Sequence, residues 1–207
     1  IEIPNRVRTV VRLRNIMENM QFRDSVSPLL LGLGKDVSGN HVFADLARMP
    51  HLLFAGATGT GKTIGLNNII LSLIYRNPPS RLRFILVDPK RVEFPVYNEL
   101  PHLLTPVILD TQRAINALKW LVKEMERRFQ VLSQARCRDI GSYHQMPQTS
   151  SMGEEALEPM PYIVLIIDEL GYVSFDAQAS NLFFQVISSR HDQGLGTIAT
   201  TNLPFGK

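Results

Sequence analysis

The 207-residue sequence has little cysteine, no long hydrophobic run and only a small net charge, and each absence argues against a class of protein. The single cysteine, Cys137, excludes an internal disulfide and a zinc cluster built from thiolates, and it fits a reducing cytoplasm. No apolar run approaches the roughly 20 residues of a membrane-spanning helix, so no membrane contact is expected. A hydrophobic fraction of 44% and a charged fraction of 20% are those of a folded globular protein.

The charge is distributed unevenly along the chain, although it totals only +3. Residues 1–140 carry 20 basic and 12 acidic side chains, whereas residues 141–207 carry 2 basic and 7 acidic ones. A basic body can meet the phosphate backbone of a nucleic acid, but a solvated basic face explains the same distribution. Charge alone therefore leaves the partner open.

Hydrophobic periodicity predicts strands that alternate with helices from residue 51 onward. Such alternation predicts a parallel sheet that is covered by helices on both faces. Before it, residues 1–28 predict a leading strand and a short helix, and residues 29–45 predict a β-hairpin around a Gly-Asn turn. The segment 141–161 lacks periodicity and is predicted to be a loop. The predicted strands are 51–55, 83–87, 106–109, 162–167 and 197–200. The predicted helices are 111–138, 182–189 and one that follows the phosphate loop, carries apolar residues on one face over 66–74 and is stopped by Asn77.

The segment Gly56-Ala57-Thr58-Gly59-Thr60-Gly61-Lys62-Thr63 matches the phosphate-loop pattern G-x-x-x-x-G-K-[ST] in full. It follows a predicted strand and opens a predicted amphipathic helix, which is the context that this motif requires. Backbone N–H groups of such a loop cradle phosphates, so all eight residues are predicted to bind ATP. Lys62 is predicted to reach the terminal phosphates, and the Thr63 hydroxyl to bind Mg²⁺.

Two further strand ends supply polar groups to the same edge of the predicted sheet. Asp168 and Glu169 follow the most hydrophobic strand, and we predict that Asp168 holds Mg²⁺ while Glu169 polarises the attacking water. Thr200 and Asn202 end the last strand, where a polar side chain can sense the terminal phosphate and position water. A turn ahead of Pro204 is the alternative for these two residues.

Other polar residues are weaker candidates. Asp88-Pro89-Lys90-Arg91 follows the second predicted strand, so Asp88 can couple to the catalytic centre while Lys90 and Arg91 face a polyanion; an ordinary turn is the alternative. Arg190 either reaches the nucleotide of a neighbouring subunit or is simply solvated. The five histidines lack metal-ligand spacing, which argues against a zinc site.

Several long runs carry a family resemblance: LGLGKDVSG at 31–39, MPHLL at 49–53, RFILVDPKRVE at 83–93 and PHLLTPV at 101–107. Together with the phosphate loop, they resemble the motor region of the FtsK/SpoIIIE family of DNA translocases over residues 1 to about 169. The segment 168–205 is instead similar to IstB/DnaC-like AAA+ ATPases. Within it, Asn202 and Leu203 stand where the translocase family has glutamine and arginine.

The resemblance implies an α/β fold of the RecA-like P-loop NTPase type, with an additional strand between the phosphate-loop strand and the Asp168 strand. Residues 1–50 are expected to form a flanking strand and hairpin region. Residues 51–207 are expected to form the P-loop ATPase core, truncated at its C-terminal end.

The implied function is that of an ATP-driven double-stranded DNA translocase motor of the chromosome segregation and cell division type. The resemblance implies a homo-oligomeric ring, a hexamer, with ATP between subunits and with Lys62, Glu169 and Asn202 as catalytic residues. Two other functions stay open at this point. One is an IstB/DnaC-like ATPase that regulates transposition or helicase loading, and the other is a nucleotide-binding module that does not hydrolyse ATP.

Overall fold

The structure is a computed structural model and describes residues 10–49, 51–56, 60–146, 157–173, 177–192 and 197–201. Two short helices and a hairpin precede a sheet whose strands alternate with longer helices. The predicted leading strand overlaps residues 1–9, which lie outside the described residues. In chain order the elements are α1 (Leu13–Met17), α2 (Met20–Arg23), β1 (Leu30–Lys35), β2 (His41–Asp45), β3 (His51–Ala55), α3 (Lys62–Arg76), β4 (Leu82–Val87), α4 (Thr111–Gln134), α5 (Ile140–His144), β5 (Tyr162–Ile167), α6 (Ala177–Asp192) and β6 (Thr197–Thr201).

The four strands of the main sheet are parallel and lie in the order β3-β6-β5-β4. The last strand in the sequence, β6, thus lies between the phosphate-loop strand β3 and the strand β5 that precedes Asp168. This confirms the predicted additional strand. Because all four strands run the same way, their carboxyl ends meet at one edge of the sheet, where ligands of open α/β sheets bind.

Helices cover both faces of this sheet, as the alternating pattern predicted. All six residues of β5 are buried, which explains its continuous apolar run. On one face α3 packs on side chains of β4, β5 and β6 and on the hairpin, and on the other face α4 and α6 pack on the alternate side chains of β4 and β5. The helix residues at the centres of these two layers are Leu66, Ile70 and Leu73 on one face and Leu118, Leu121 and Val186 on the other.

Three sequence predictions differ from the structure. Residues 106–109 form no ladder; Ile108 and Leu103 make only single bridges to β4, and Pro106 has no N–H to donate. Helix α4 ends at Gln134, four residues early, and is followed by Arg136 in a left-handed conformation (φ 54°). Residues 140–144 are helical rather than a loop, because the Asp139 carboxylate accepts a hydrogen bond from the Ser142 N–H at 2.7 Å and caps the helix.

The hairpin packs directly on α3. Its Leu31 belongs to the same buried cluster as the apolar face of that helix. The Gly32 N–H donates to the Ser72 hydroxyl at 3.1 Å, and the Arg76 guanidinium donates to the backbone carbonyls of Phe22, Ser25 and Ser27. The boundary between residues 1–50 and 51–207 stays a prediction. Within the described ranges, no helix is both long and apolar enough to cross a lipid bilayer.

Replacing Gly32 by alanine is expected to lower the free energy of unfolding by about 1–3 kcal/mol, the usual cost of overpacking a core. A Cβ at this position would lie 2.6 Å from Cγ2 of Ile16, which is fully buried and β-branched, so its side chain cannot turn aside freely. Urea unfolding measures the change. The clash disappears when Ile16 is also replaced by alanine, so the double variant should lose less free energy of unfolding than the sum of the two single losses. Losses that simply add would contradict this contact.

Candidate functional site

The phosphate-loop motif joins β3 to α3, as predicted. Gly61 precedes the helix with φ 94° and ψ 15°, a left-handed conformation that glycine adopts without strain. A Cβ on Gly56 would lie 2.5 Å from the Thr60 hydroxyl oxygen, so the backbone turns back tightly there. The N-cap residue Gly61 has no side chain to cap α3, and the N–H groups of a helix N-terminus attract anions. The motif residues Ala57, Thr58 and Gly59 lie outside the described residues.

Lys62 and the two acidic residues predicted from the sequence lie together. Its ammonium nitrogen is 3.1 Å from Oδ1 of Asp168 and 2.5 Å from Oε1 of Glu169. All three side chains are at most 10% exposed. The contact follows from the topology, because Lys62 starts the helix after β3 while both carboxylates end β5, at the same edge of the sheet.

These charges shift one another's protonation. Burial lowers the pKa of Lys62, but hydrogen bonds to Glu169 and Asp168 outweigh it and raise that pKa above its ordinary value. Burial raises the pKa of Glu169, but the Lys62 and Lys90 ammonium groups outweigh it and lower that pKa. Lys62 is therefore protonated and Glu169 ionised at neutral pH, as phosphate binding and proton acceptance require.

Thr200 connects the two acidic residues to β6. Its hydroxyl donates to Oδ1 of Asp168 at 2.5 Å and accepts from the backbone N–H of Glu169 at 2.9 Å, and its side chain is fully buried. The Glu169 backbone is left-handed at φ 51°. Thr200 thus lies at the site, which the sensor alternative requires. Asn202 lies outside the described residues, so its sensor role stays a prediction. The side chain of Arg190 is likewise not described.

Segment 88–94, which follows β4, touches the site twice. Lys90 places its ammonium nitrogen 3.3 Å from Oε1 of Glu169, and Glu93 accepts a hydrogen bond from the Thr63 hydroxyl at 2.6 Å. The sequence analysis placed Asp88, Lys90 and Arg91 at this edge but missed both contacts. The available signal was the position of segment 88–94 directly after a strand of the same sheet. Asp88 itself is buried and accepts hydrogen bonds from the N–H groups of Glu93 and Phe94.

The oxygen groups at the site fit a small hard cation. Mg²⁺ is usually held by one or two protein oxygens together with phosphate oxygens and water. The Thr63 hydroxyl and the Asp168 carboxylate are such oxygens, and Glu169 contributes a buried Oε2 that has no hydrogen-bond partner within the part of the chain that the structure describes. Across the described ranges, no group of three or more His, Cys, Asp or Glu side chains is arranged to hold a metal by itself.

The sequence pattern of the FtsK/SpoIIIE family matches residues 12–199. The chain is 48% identical over 170 residues to the DNA translocase FtsK of Helicobacter pylori, covering 82% of this chain and 20% of that protein. It is 42% identical over 224 residues to the DNA translocase FtsK of Haemophilus influenzae, covering 99% of this chain and 42% of that protein. The family match includes α6.

Among solved structures, the pCW3 conjugation coupling protein TcpA in its monomer form with ATPγS has a TM-score of 0.66 at 23% identity, covering 87% of this chain and 50% of that chain. This likeness confirms the α/β fold that was predicted. The chain spans only 20% and 42% of the lengths of the two relatives named above.

Proposed function

Because this chain belongs to the FtsK/SpoIIIE family, we propose that it is an ATP-hydrolysing motor segment of a double-stranded DNA translocase. The observation that carries the proposal is the buried cluster of Lys62, Asp168 and Glu169 at the carboxyl edge of the sheet, directly beside the phosphate loop. Relatives that are 42% and 48% identical are named DNA translocases, which supports DNA as the substrate that the motor moves.

In this proposal each residue of the site has a separate task. The backbone of residues 56–63 cradles the phosphates of ATP, and Lys62 turns from the carboxylates to the terminal phosphates. Thr63 and Asp168 hold Mg²⁺, which neutralises charge on the phosphates when it is bound. Glu169 accepts a proton from the attacking water, and Asn202 helps to position that water.

The proposal extends to assembly and location. We propose that copies of the chain form a ring, a hexamer, around double-stranded DNA in the cytoplasm, with ATP between neighbouring subunits. The net charge of +8 over residues 1–140 supports an anionic partner. Light scattering of the chain with and without ATP measures the number of subunits directly.

Linear duplex DNA is expected to raise the steady-state ATPase rate per subunit several-fold at low salt, because a translocase couples ATP hydrolysis to movement only when it is bound to DNA. The stimulation should weaken steeply between about 50 and 200 mM salt, since phosphate contacts release counterions. The ATPase rate per subunit is measured across protein concentrations. It should rise with protein concentration if a neighbouring subunit completes the ATP site. Lys62→Ala serves as the blank.

Other outcomes select the other functions. A rate that does not respond to DNA at low salt contradicts the translocase proposal. DNA-dependent oligomers with ATP turnover, but without displacement of a protein roadblock from the duplex, indicate a regulator of the IstB/DnaC type. Tight ATP binding without phosphate release indicates a nucleotide-binding module.

A further inference from the structure

We propose that Lys90 is a positioning residue that holds the Glu169 carboxylate in place during ATP hydrolysis. The inference rests on the proposed function of the site and adds a task for a residue outside the phosphate loop. Lys90 would act through Glu169, without touching the nucleotide itself.

The contacts of Lys90 define a specific place for its ammonium group. It lies 3.3 Å from Oε1 of Glu169 and 3.9 Å from the centre of the Tyr172 ring, at a distance typical of a cation–π interaction. Tyr172 lies in the short 3-10 helix Leu170–Tyr172, which begins immediately after Glu169. Lys90 therefore joins the carboxylate to the segment that follows it, and its side chain is 31% exposed, while that of Glu169 is 7% exposed.

The backbone around Lys90 is held by its own hydrogen bonds. Oδ2 of the buried Asp88 accepts from the N–H groups of Glu93 at 2.9 Å and Phe94 at 3.0 Å, closing the segment into a loop. Arg91 adopts a left-handed conformation (φ 60°), which turns the chain directly after Lys90. Such a loop restricts where the Lys90 side chain can reach and makes the contact with Glu169 reproducible.

Phosphate binding changes which cations Glu169 has available. Its Oε1 lies 2.5 Å from the Lys62 ammonium nitrogen and 3.3 Å from the Lys90 ammonium nitrogen in the structure. When Lys62 turns to the phosphates, the Lys90 ammonium is the cation that stays with this almost fully buried carboxylate. A buried carboxylate without a partner is strongly disfavoured, so it would turn away toward solvent. Lys90 thus keeps the Glu169 carboxylate oriented at the stage when a proton acceptor is needed.

The test compares Lys90→Met and Lys90→Arg with wild type in the full chain. We expect Lys90→Met to lower kcat by about 10-fold or more, a part of the roughly 10²- to 10⁴-fold effect of the general base that it positions, with KM for ATP and the affinity for a fluorescent ATP analogue within about threefold of wild type. Lys90→Arg should restore most of kcat, because it keeps the charge. Lys119→Met, which removes an exposed lysine from α4, is the matched control and should behave like wild type.

Two results overturn the inference while the proposed function stands. In one, the Lys90→Met variant turns over ATP as fast as wild type or faster. In the other, it loses kcat and affinity for the analogue together. If wild type releases no phosphate, the proposed function fails first. A double-mutant cycle of Lys90→Met and Glu169→Gln in nucleotide-free protein, read by thermal unfolding, tests the pair separately. Shifts in Tm that fall short of additivity support the contact, and additive shifts overturn it even in an active enzyme.

Discussion

Replacing Glu169 by glutamine is expected to lower the rate of ATP hydrolysis by about 10²- to 10⁴-fold while ATP stays bound. Glutamine has nearly the same size as glutamate and keeps an oxygen that can accept from Lys62, whose nitrogen lies 2.5 Å from Oε1 of Glu169. It cannot accept a proton from water at neutral pH. Single-turnover phosphate release measures the chemical step, and a fluorescent ATP analogue measures binding in the same samples.

A matched control is Glu126→Gln, which makes the same change at an exposed position of α4. This control should leave both phosphate release and analogue affinity as in wild type. If Glu169→Gln weakens analogue binding as much as it slows hydrolysis, Glu169 contributes to binding and the assignment of the proton acceptor is wrong. Retained hydrolysis would show that another group accepts the proton.

The strands of the sheet and the helices that cover it follow from local sequence patterns that allow few alternatives. A six-residue apolar run such as 162–167 fits a strand that is buried on both faces, and the helix face with Leu66, Ile70 and Leu73 must then cover that sheet. The order of the strands, in contrast, cannot be derived from local patterns. No local pattern places β6 between β3 and β5; this arrangement was implied by the family resemblance and is confirmed by the pairing.

The central part of the site was predictable because it depends on backbone topology. Lys62 must start the helix after β3, and Asp168 and Glu169 must end β5, so a parallel sheet brings them to one edge whatever the loops do. The contacts of Lys90 and Glu93 depend instead on the loop conformation. That conformation includes a left-handed Arg91, and an arginine gives no sequence signal for a positive φ.

The wrong predictions also have local physical causes. The run 106–109 has the composition of a strand, but it begins with Pro106, and only single bridges form beside β4. Helix α5 was missed because its five residues are too few to show a hydrophobic period. Its start depends on one carboxylate, that of Asp139, which accepts from the Ser142 N–H.

Replacing Lys62 by alanine is expected to weaken ATP binding by about 100-fold or more and to abolish measurable hydrolysis. The variant loses a charge-assisted hydrogen-bond donor to the terminal phosphates, an interaction stronger than that of neutral donors. It should also lower the unfolding temperature of the nucleotide-free protein, because the buried carboxylates of Asp168 and Glu169 lose their closest cation. Titration with a fluorescent ATP analogue measures the first effect, and a thermal unfolding scan without nucleotide measures the second.

Lys62→Ala and Glu169→Gln should therefore differ in which step they remove. The lysine variant loses binding and turnover together, whereas the glutamine variant loses turnover alone. Lys123→Ala, which removes an exposed lysine from α4, controls for the loss of one positive charge and should keep wild-type affinity. If Lys62→Ala binds the analogue as tightly as wild type, the ammonium group does not reach the phosphates and serves only to pair the two carboxylates. If both variants lose affinity for the analogue equally, Lys62 and Glu169 act as one structural pair. If they have separate tasks, the Glu169→Gln variant, which keeps Lys62, must still bind the analogue.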